Sequence, residues 1–506
     1  MADAELWKLS AQEAAAAIDA RLEFVGSWTD HEAGAPAAST SDVIFSGIGT
    51  DTRQPLHGQL FIALKGEVHD AHAHIKAAIE SGAIGLLIHR DLTNEERLFI
   101  AEKCKRALAV IHCDDTLLAL QKLAQHWRRQ RRALVLGITG TNGKTSTKEF
   151  AAAILSSQFN THWSKGSFNN HWGVPFTLLS LNEAHEVAIV EMGMNHLGEL
   201  KRLSEIVEAD VVVCTMVGRG HLEGVGSVEG VAQAKAEIYK YAPANSTFIF
   251  NLDNEHTAKM MADFVPLVPS GQPGRRSITF AERRNGNEAG DVSFSVDEAT
   301  DQSLRLSGSI RGVPGEAVVP VFGRHNVVNL MAASALALAA GMTPEKIWAA
   351  LPRCQTAWGR NQWVDLQSGA RALFDAYNAN PESMQAALEN FATLTVGRRF
   401  AVLGEMRELG EATGELHREM ARKVALGPWE AVYFVGPSAD VVKAELQKSG
   451  FRKSIVVSNT YENFIASELR AMLRPGDLVL LKGSRGVALE KFLADLHPSK
   501  PISKQS

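Results

Sequence analysis

Of 506 residues only four are cysteine (Cys104, Cys113, Cys214 and Cys354), and no two of them form a Cys-x-x-Cys pair. That argues against a zinc site or a disulfide framework and fits a reducing compartment. Charge of one sign is also lacking. Lys+Arg number 52 and Asp+Glu 57, for a net charge of −5. A dedicated nucleic-acid binder carries a basic face, so no nucleic-acid partner is expected, whereas anionic small substrates stay open. The longest apolar stretch, around Leu330 to Met342, is interrupted by Ser334 and is too short to span a bilayer. The opening Met1-Ala2-Asp3-Ala4-Glu5 has no basic region leading into an apolar core, so no signal peptide is expected. A cytoplasmic protein follows as the expectation. Internal repeats and low-complexity tracts are absent beyond Ala-rich helices.

What is there is an ordinary globular composition, 45% hydrophobic and 22% charged. The length suggests about three domains. Residues up to Cys113 read as a small α/β unit: a helical pattern over Ala71–Ser81, then apolar runs at Ala83–Ile88 and Ala107–Ile111. A helix over Thr116 to Gln130 follows, ending in Arg128, Arg129, Arg131 and Arg132. Cations at a helix C-terminus complement its dipole, and this bland reading is set against phosphate or nucleic-acid binding.

From Ala133 the pattern repeats as strand, loop, helix. Ala133–Ile138, Val187–Val190, Val211–Val213 and Phe248–Phe250 are short apolar runs, as strands buried on both faces require. The pattern predicts a doubly wound, mostly parallel sheet. Ser270–Val321 is Gly-, Arg- and Asn-rich, then alternates with period two at Val292–Val296 and Leu304–Leu306. It predicts a small antiparallel sheet at a domain edge. A boundary is placed near Phe322-Gly323. Beyond it come a helix over His325–Ala340 and strands near Ala372–Phe374, Phe400–Leu403, Val432–Val435 and Leu478–Leu481, a second doubly wound, Rossmann-like α/β domain. The expected fold is α/β in three domains: 1–113, 114–322 and 323–506.

The strongest chemical signal is Gly137-Ile138-Thr139-Gly140-Thr141-Asn142-Gly143-Lys144-Thr145-Ser146, between a strand and a helix. Glycines let the backbone curl so that N–H groups point inward as an anion nest, and the helix N-terminus adds its positive end. Lys144 can reach the β- and γ-phosphates, and the Thr145 hydroxyl can ligate Mg²⁺. Ile138 occupies the first glycine position of the strict phosphate-loop pattern. ATP or GTP binding is expected, but the loop alone does not name a reaction.

Thr139–Thr145 resembles the ATP loop of the Mur ligases and their folylpolyglutamate synthetase relatives, and the resemblance extends over nearly the whole chain. It implies ATP-dependent amide formation through an acyl phosphate, with a UDP-sugar-binding first domain, a central ATP domain and a C-terminal ligase domain. Glu191 ends an apolar strand, where open α/β sheets place their sites. With Met192-Gly193-Met194-Asn195-His196 after it, Glu191 is similar to the family's metal-binding glutamate, and His221 to its second metal-site histidine. Lys235 by itself is a helix lysine. The resemblance implies that it is carbamylated and joins Thr145, Glu191 and His221 in holding two Mg²⁺ ions. Lys144, Glu191, His221 and Lys235 are thus the expected catalytic set.

The resemblance also implies ATP contacts at Gly140, Thr141, Asn142, Gly143, Lys144, Thr145, Ser146, Asn326, Asn329, Arg360 and Asp375. Asn326 is expected to read adenine, Arg360 to face phosphate and Asp375 to bind ribose. The family usually has two acidic residues at the last position, and Phe374 stands in place of the first.

Tyr377-Asn378-Ala379-Asn380-Pro381 and Leu403-Gly404-Glu405-Met406-Arg407-Glu408-Leu409-Gly410 resemble the family members that use UDP-N-acetylmuramoyl-tripeptide and D-alanyl-D-alanine. Substrate contacts are expected at Thr52, Arg53, Lys65, Asn169, Asn170, Tyr377, Asn378, Asn380, Lys482 and Arg485. A monomer is expected. The alternative within the family is addition of a diamino acid to the dipeptide precursor. Against it, the chain lacks the Asp-Asn-Pro-Arg motif usual in that ligase. An alternative of another class is a regulatory or nucleic-acid module using the Arg128–Arg132 cluster.

Overall fold

The computed structural model describes residues 8–26, 43–66, 68–104, 106–265, 276–283, 290–394 and 397–500. It is mixed α/β with three main sheets. In the first, strands Ile48–Gly49, Leu60–Ile62, Gly85–Ile88 and Leu108–His112 run parallel, and Arg21–Val25 adds an antiparallel edge. The helical pattern over Ala71–Ser81 begins as a tighter turn, Ala71–His74, before continuing as the α-helix Ile75–Glu80.

The central sheet has nine strands. Leu134–Thr139, which feeds the glycine-rich loop, lies between Val187–Glu191 and Val211–Cys214, all parallel. The chain therefore crosses in opposite directions on either side of this strand, opening a crevice at its carboxyl end. The period-two strands were expected as a small separate sheet. They instead continue the central one: Val292–Ala299 pairs parallel with Ser277–Glu282, and Leu304–Ile310 and Val313–Val319 follow antiparallel. Alternation marks a half-buried strand but not the sheet it joins. Part of the Gly-, Arg- and Asn-rich stretch before these strands lies outside the described residues.

The boundary expected at 322 needs moving. Helix Asn326–Ala339 is buried along nearly its full length, so it must be covered all round. It packs in one core with Phe150, Ile154, Phe280 and Phe294 of the central unit, and Ile347, Trp348 and Cys354 join the same core. Phe322, by contrast, packs into the C-terminal core. By packing, the crossover between the two units runs through Gln355–Asn361, where Gly359 (φ 70°) and Asn361 (φ 47°) hold left-handed backbone. A hinge would lie there rather than near 322. The third sheet has six strands, with Arg371–Asp375, Leu478–Lys482 and Arg399–Gly404 side by side and parallel. Their carboxyl ends carry Asp375, Lys482 and Glu405.

Candidate active site between the central and C-terminal domains

The glycine-rich loop closes tightly over its strand. Gly140 and Gly143 have φ of 149° and 85°. A Cβ on the first would meet Thr215 Oγ1 at 1.9 Å, and on the second Asn329 Oδ1 at 2.2 Å. Thr215, just past the strand Val211–Cys214, donates from its hydroxyl to Asn142 O at 2.6 Å and so sets the loop's curl. Lys144 Nζ donates to Gly140 O at 2.7 Å and lies folded across the loop. Burial pushes its ammonium below the usual lysine range, against the pull of Glu191.

Glu191 is buried at its strand end. Its Oε1 accepts from Thr145 Oγ1 (3.2 Å) and Asn169 Nδ2 (2.8 Å), while Oε2 is buried with no hydrogen-bond partner among the described residues. His221 holds a left-handed conformation (φ 61°), and its Nδ1 lies 2.7 Å from Glu408 Oε2 across the domain boundary, out of line for a hydrogen bond. Burial lowers its pKa more than Glu408 raises it. Lys235 is fully buried, and among the described residues its Nζ has no hydrogen-bond partner. Burial first, and then the charge of Lys144, push it down to about 7. A free carboxylate oxygen and a hydroxyl are oxygen donors of the kind Mg²⁺ takes, and a buried amine with a lowered pKa is the form that would take up CO₂ to give a further oxygen donor, so these residues fit both groups.

A cavity of ≈ 310 Å³ opens beside the loop, lined by Asn142, Gly143, Ser146, Thr215, Asn329, His325, Arg360, Asp375 and Lys482 among others. Asn326, expected to read adenine, lies behind this wall. It is buried, its Nδ2 donates to Phe322 O at 2.8 Å, and its Oδ1 accepts from Asn329 Nδ2 at 3.1 Å. Asn326 therefore orients Asn329, and Asn329 with His325 faces the cavity. His325 is held by Asn361 and Asn390 at 3.1 Å each. Lys482, expected as a substrate contact, lines this cavity, buried against Asp375 (2.9 Å), and donates to Asn378 O (2.7 Å).

A second cavity of ≈ 790 Å³ lies on the other side of Thr145 and Arg360, bordered by Trp163, Lys165, Arg353, Trp358, Tyr377 and Arg485 among others. Arg360 packs over Tyr377, with 4.7 Å from guanidinium carbon to ring centroid, and Arg485 over Trp358 at 5.0 Å. Four expected substrate residues are engaged internally. Asn169 holds Glu191, and Asn170 Oδ1 caps helix Gly173–Leu179. Asn380 caps helix Pro381–Ala392 and exchanges two amide hydrogen bonds with Asn142, at 2.8 and 3.1 Å. Asn378 keeps its carboxamide on the next backbone N–H. Thr52, Arg53 and Lys65 are not gathered here: they follow strand ends of the first sheet, with exposed Arg53 forking onto Asp51.

Three of the four clustered arginines are engaged within the protein, and Arg132 is exposed. Arg128 meets Asp210, Arg129 meets Glu208, and Arg131 stacks on Trp127 at 3.6 Å. Sequence reasoning gave no role to Thr215, Lys148 or His325, and took Glu408 only as part of the motif Leu403–Gly410. Thr215 was accessible by the argument used for Glu191, since both lie at carboxyl ends of central strands. Glu408 reaches the site through its loop's turn (φ 64°), which the motif alone does not specify.

The Mur ligase middle domain matches residues 138–337, and the Mur ligase glutamate ligase domain matches 359–485. The chain belongs to the Mur ligase family. The first match ends and the second begins at 337 and 359, so the second starts within the crossover segment found from packing. Among similar proteins, the Bacillus subtilis (strain 168) UDP-N-acetylmuramoyl-tripeptide--D-alanyl-D-alanine ligase is 34% identical over 91% of this chain and 94% of its own. The Escherichia coli (strain K12) protein of the same name is 32% identical over 90% and 94%. A crystal structure of MurF from Acinetobacter baumannii superposes with a TM-score of 0.81 at 28% identity, covering 97% of this chain and 99% of that one. The Mur ligase assignment thus holds for sequence and fold alike.

Proposed function

We propose that this Mur ligase joins D-alanyl-D-alanine to UDP-N-acetylmuramoyl-tripeptide at the expense of ATP, in peptidoglycan precursor synthesis. The observation that carries the reading is near full-length similarity to ligases of that name, from 34% identity downward. The site chemistry agrees with it. The tripeptide's terminal carboxylate attacks the γ-phosphorus, ADP leaves, and an acyl phosphate forms. The dipeptide's amine then attacks the acyl carbon and expels phosphate.

In this reading the loop's N–H groups and Lys144 hold the phosphates. Thr145, Glu191, His221 and carbamylated Lys235 hold two Mg²⁺ ions, which neutralise phosphate charge when bound. Asn329, His325, Arg360 and the Asp375–Lys482 pair line the nucleotide. The aromatic and cationic walls around Tyr377 and Arg485 suit a peptide with an anionic end. An α-amino group has a pKa near 7.7–8.0, so a useful fraction is already neutral at pH 7 and no strong base is needed. Positioning and preorganised charge supply the acceleration.

The reading entails a cytoplasmic, monomeric enzyme, with Thr52, Arg53 and Lys65 meeting the UDP-sugar. Among the described residues no helix is long and apolar enough to cross a membrane. ADP release is to be measured with UDP-muramoyl peptides and a panel of amines. Dependence on the tripeptide and on D-alanyl-D-alanine supports the reading. ADP release that requires a diamino acid, with the dipeptide precursor, overturns it.

A further inference from the structure

Helix Lys144–Leu155 carries a second lysine one turn beyond the phosphate-facing one. Lys148 is completely buried. Its Nζ donates to Ser164 O at 2.7 Å and to Gly166 O at 2.5 Å. It also lies 3.0 Å from Glu149 Oε1 and 3.8 Å from Glu191 Oε2. An ammonium can only donate, and here it has carbonyls and carboxylates on all its contacts.

Both carbonyls belong to the turn after Thr161–Trp163, the outermost strand of the central sheet. An edge strand has a neighbour on one side only, so the sheet alone does not hold the turn beyond it. That turn nevertheless carries the contacts that aim the acidic end of the site. Ser164 Oγ accepts from Glu191 N at 3.2 Å. Ser167 Oγ lies 3.4 Å from Thr145 Oγ1. Asn169, just beyond, donates to Glu191 Oε1 and takes the Gly193 N–H on its own carbonyl at 2.7 Å. One buried ammonium therefore pins the segment that orients both Thr145 and Glu191, and it sits beside the Glu191 oxygen that has no hydrogen bond.

We propose that Lys148 is a positioning residue for the Mg²⁺–nucleotide site, fixing turn 164–169 so that Glu191 Oε2 is presented to the cation. It touches neither nucleotide nor peptide. The alternative is a lysine that only fills the core. A buried charge is costly, and an apolar side chain of similar volume often serves stability as well or better, so packing alone does not account for an ammonium here. This inference rests on the Mg²⁺-ATP reading above.

The test is Lys148→Met, read by calorimetric titration of ADP with and without MgCl₂, by the Mg²⁺ dependence of turnover, and by thermal midpoint. ADP without Mg²⁺ is expected to bind within about twofold of wild type. The tightening that Mg²⁺ confers on ADP is expected to fall by about tenfold or more, as when an outer partner of a metal ligand is lost. Half-maximal turnover should need correspondingly more Mg²⁺. If Mg²⁺ tightens ADP binding as much in the variant as in wild type, whatever the change in midpoint, the proposal is overturned. Should Lys148→Met not fold, Lys148→Arg keeps charge and donors but displaces them, and a weakened Mg²⁺ effect near the wild-type midpoint is expected. An unchanged effect in that variant overturns the proposal equally. Absence of any Mg²⁺ effect in wild type would instead overturn the functional reading on which it rests.

Discussion

Replacing Lys235 with methionine should make the protein more stable and inactive at once. The amine is fully buried with no hydrogen-bond partner among the described residues, and burial lowers its pKa from 10.5 to about 7. That gap corresponds to roughly 5 kcal/mol at about 1.4 kcal/mol per pH unit, good to a factor of about two for so deep a site. The sign follows from proton counting. Between about pH 7 and the unfolded value near 10.5, the unfolded chain holds a proton that the folded chain has released. Raising the pH through this window therefore relieves wild type, and below about 7 the full penalty applies. In CO₂-free buffer at about pH 6.5, Lys235→Met should unfold at higher urea than wild type, by an equivalent of roughly 3–5 kcal/mol, and the gap should shrink by about pH 9. Activity should vanish in the variant. In wild type it should rise through pH 7 and respond to bicarbonate, because only the neutral amine takes up CO₂. A variant no more stable than wild type, or a gap independent of pH, refutes the reasoning.

Lys144→Met should lower turnover by about 100-fold or more with unchanged circular dichroism, because a preorganised cation over the phosphates is lost. Asn380→Ala removes both amide hydrogen bonds to Asn142 and leaves a phosphate-loop amide unpaired. The KM for ATP should rise about tenfold, measured by ADP release at saturating dipeptide. Asp375→Ala leaves the Lys482 ammonium buried without its carboxylate. Breaking such a pair should cost about 3–5 kcal/mol, read in the urea transition of the C-terminal domain.

Glycine spacing and strand-end position marked the loop and Glu191 in one sequence, and the structure puts both at carboxyl ends of central strands, whereas Lys235 was named from family likeness alone. What could not be read was which partner a polar side chain would choose. Asn326, Asn169, Asn170 and Asn380 all resemble ligand contacts in sequence, yet each amide is taken up within the protein. The sheet extension and the assignment of helix Asn326–Ala339 to the central unit failed for a related reason. Periodicity reports how much of an element is buried, but not against what. Lys148 was hidden as one more helix lysine, since total burial of a charge shows only when the edge turn is folded over it.

The central claim is tested most directly by following oxygen. The UDP-muramoyl-tripeptide is labelled with ¹⁸O in its terminal carboxylate and incubated with ATP, Mg²⁺ and D-alanyl-D-alanine. An acyl phosphate route predicts that each phosphate released carries one ¹⁸O, with a pentapeptide product by mass spectrometry. Unlabelled phosphate, or labelled phosphate with no dependence on the dipeptide, would contradict the account.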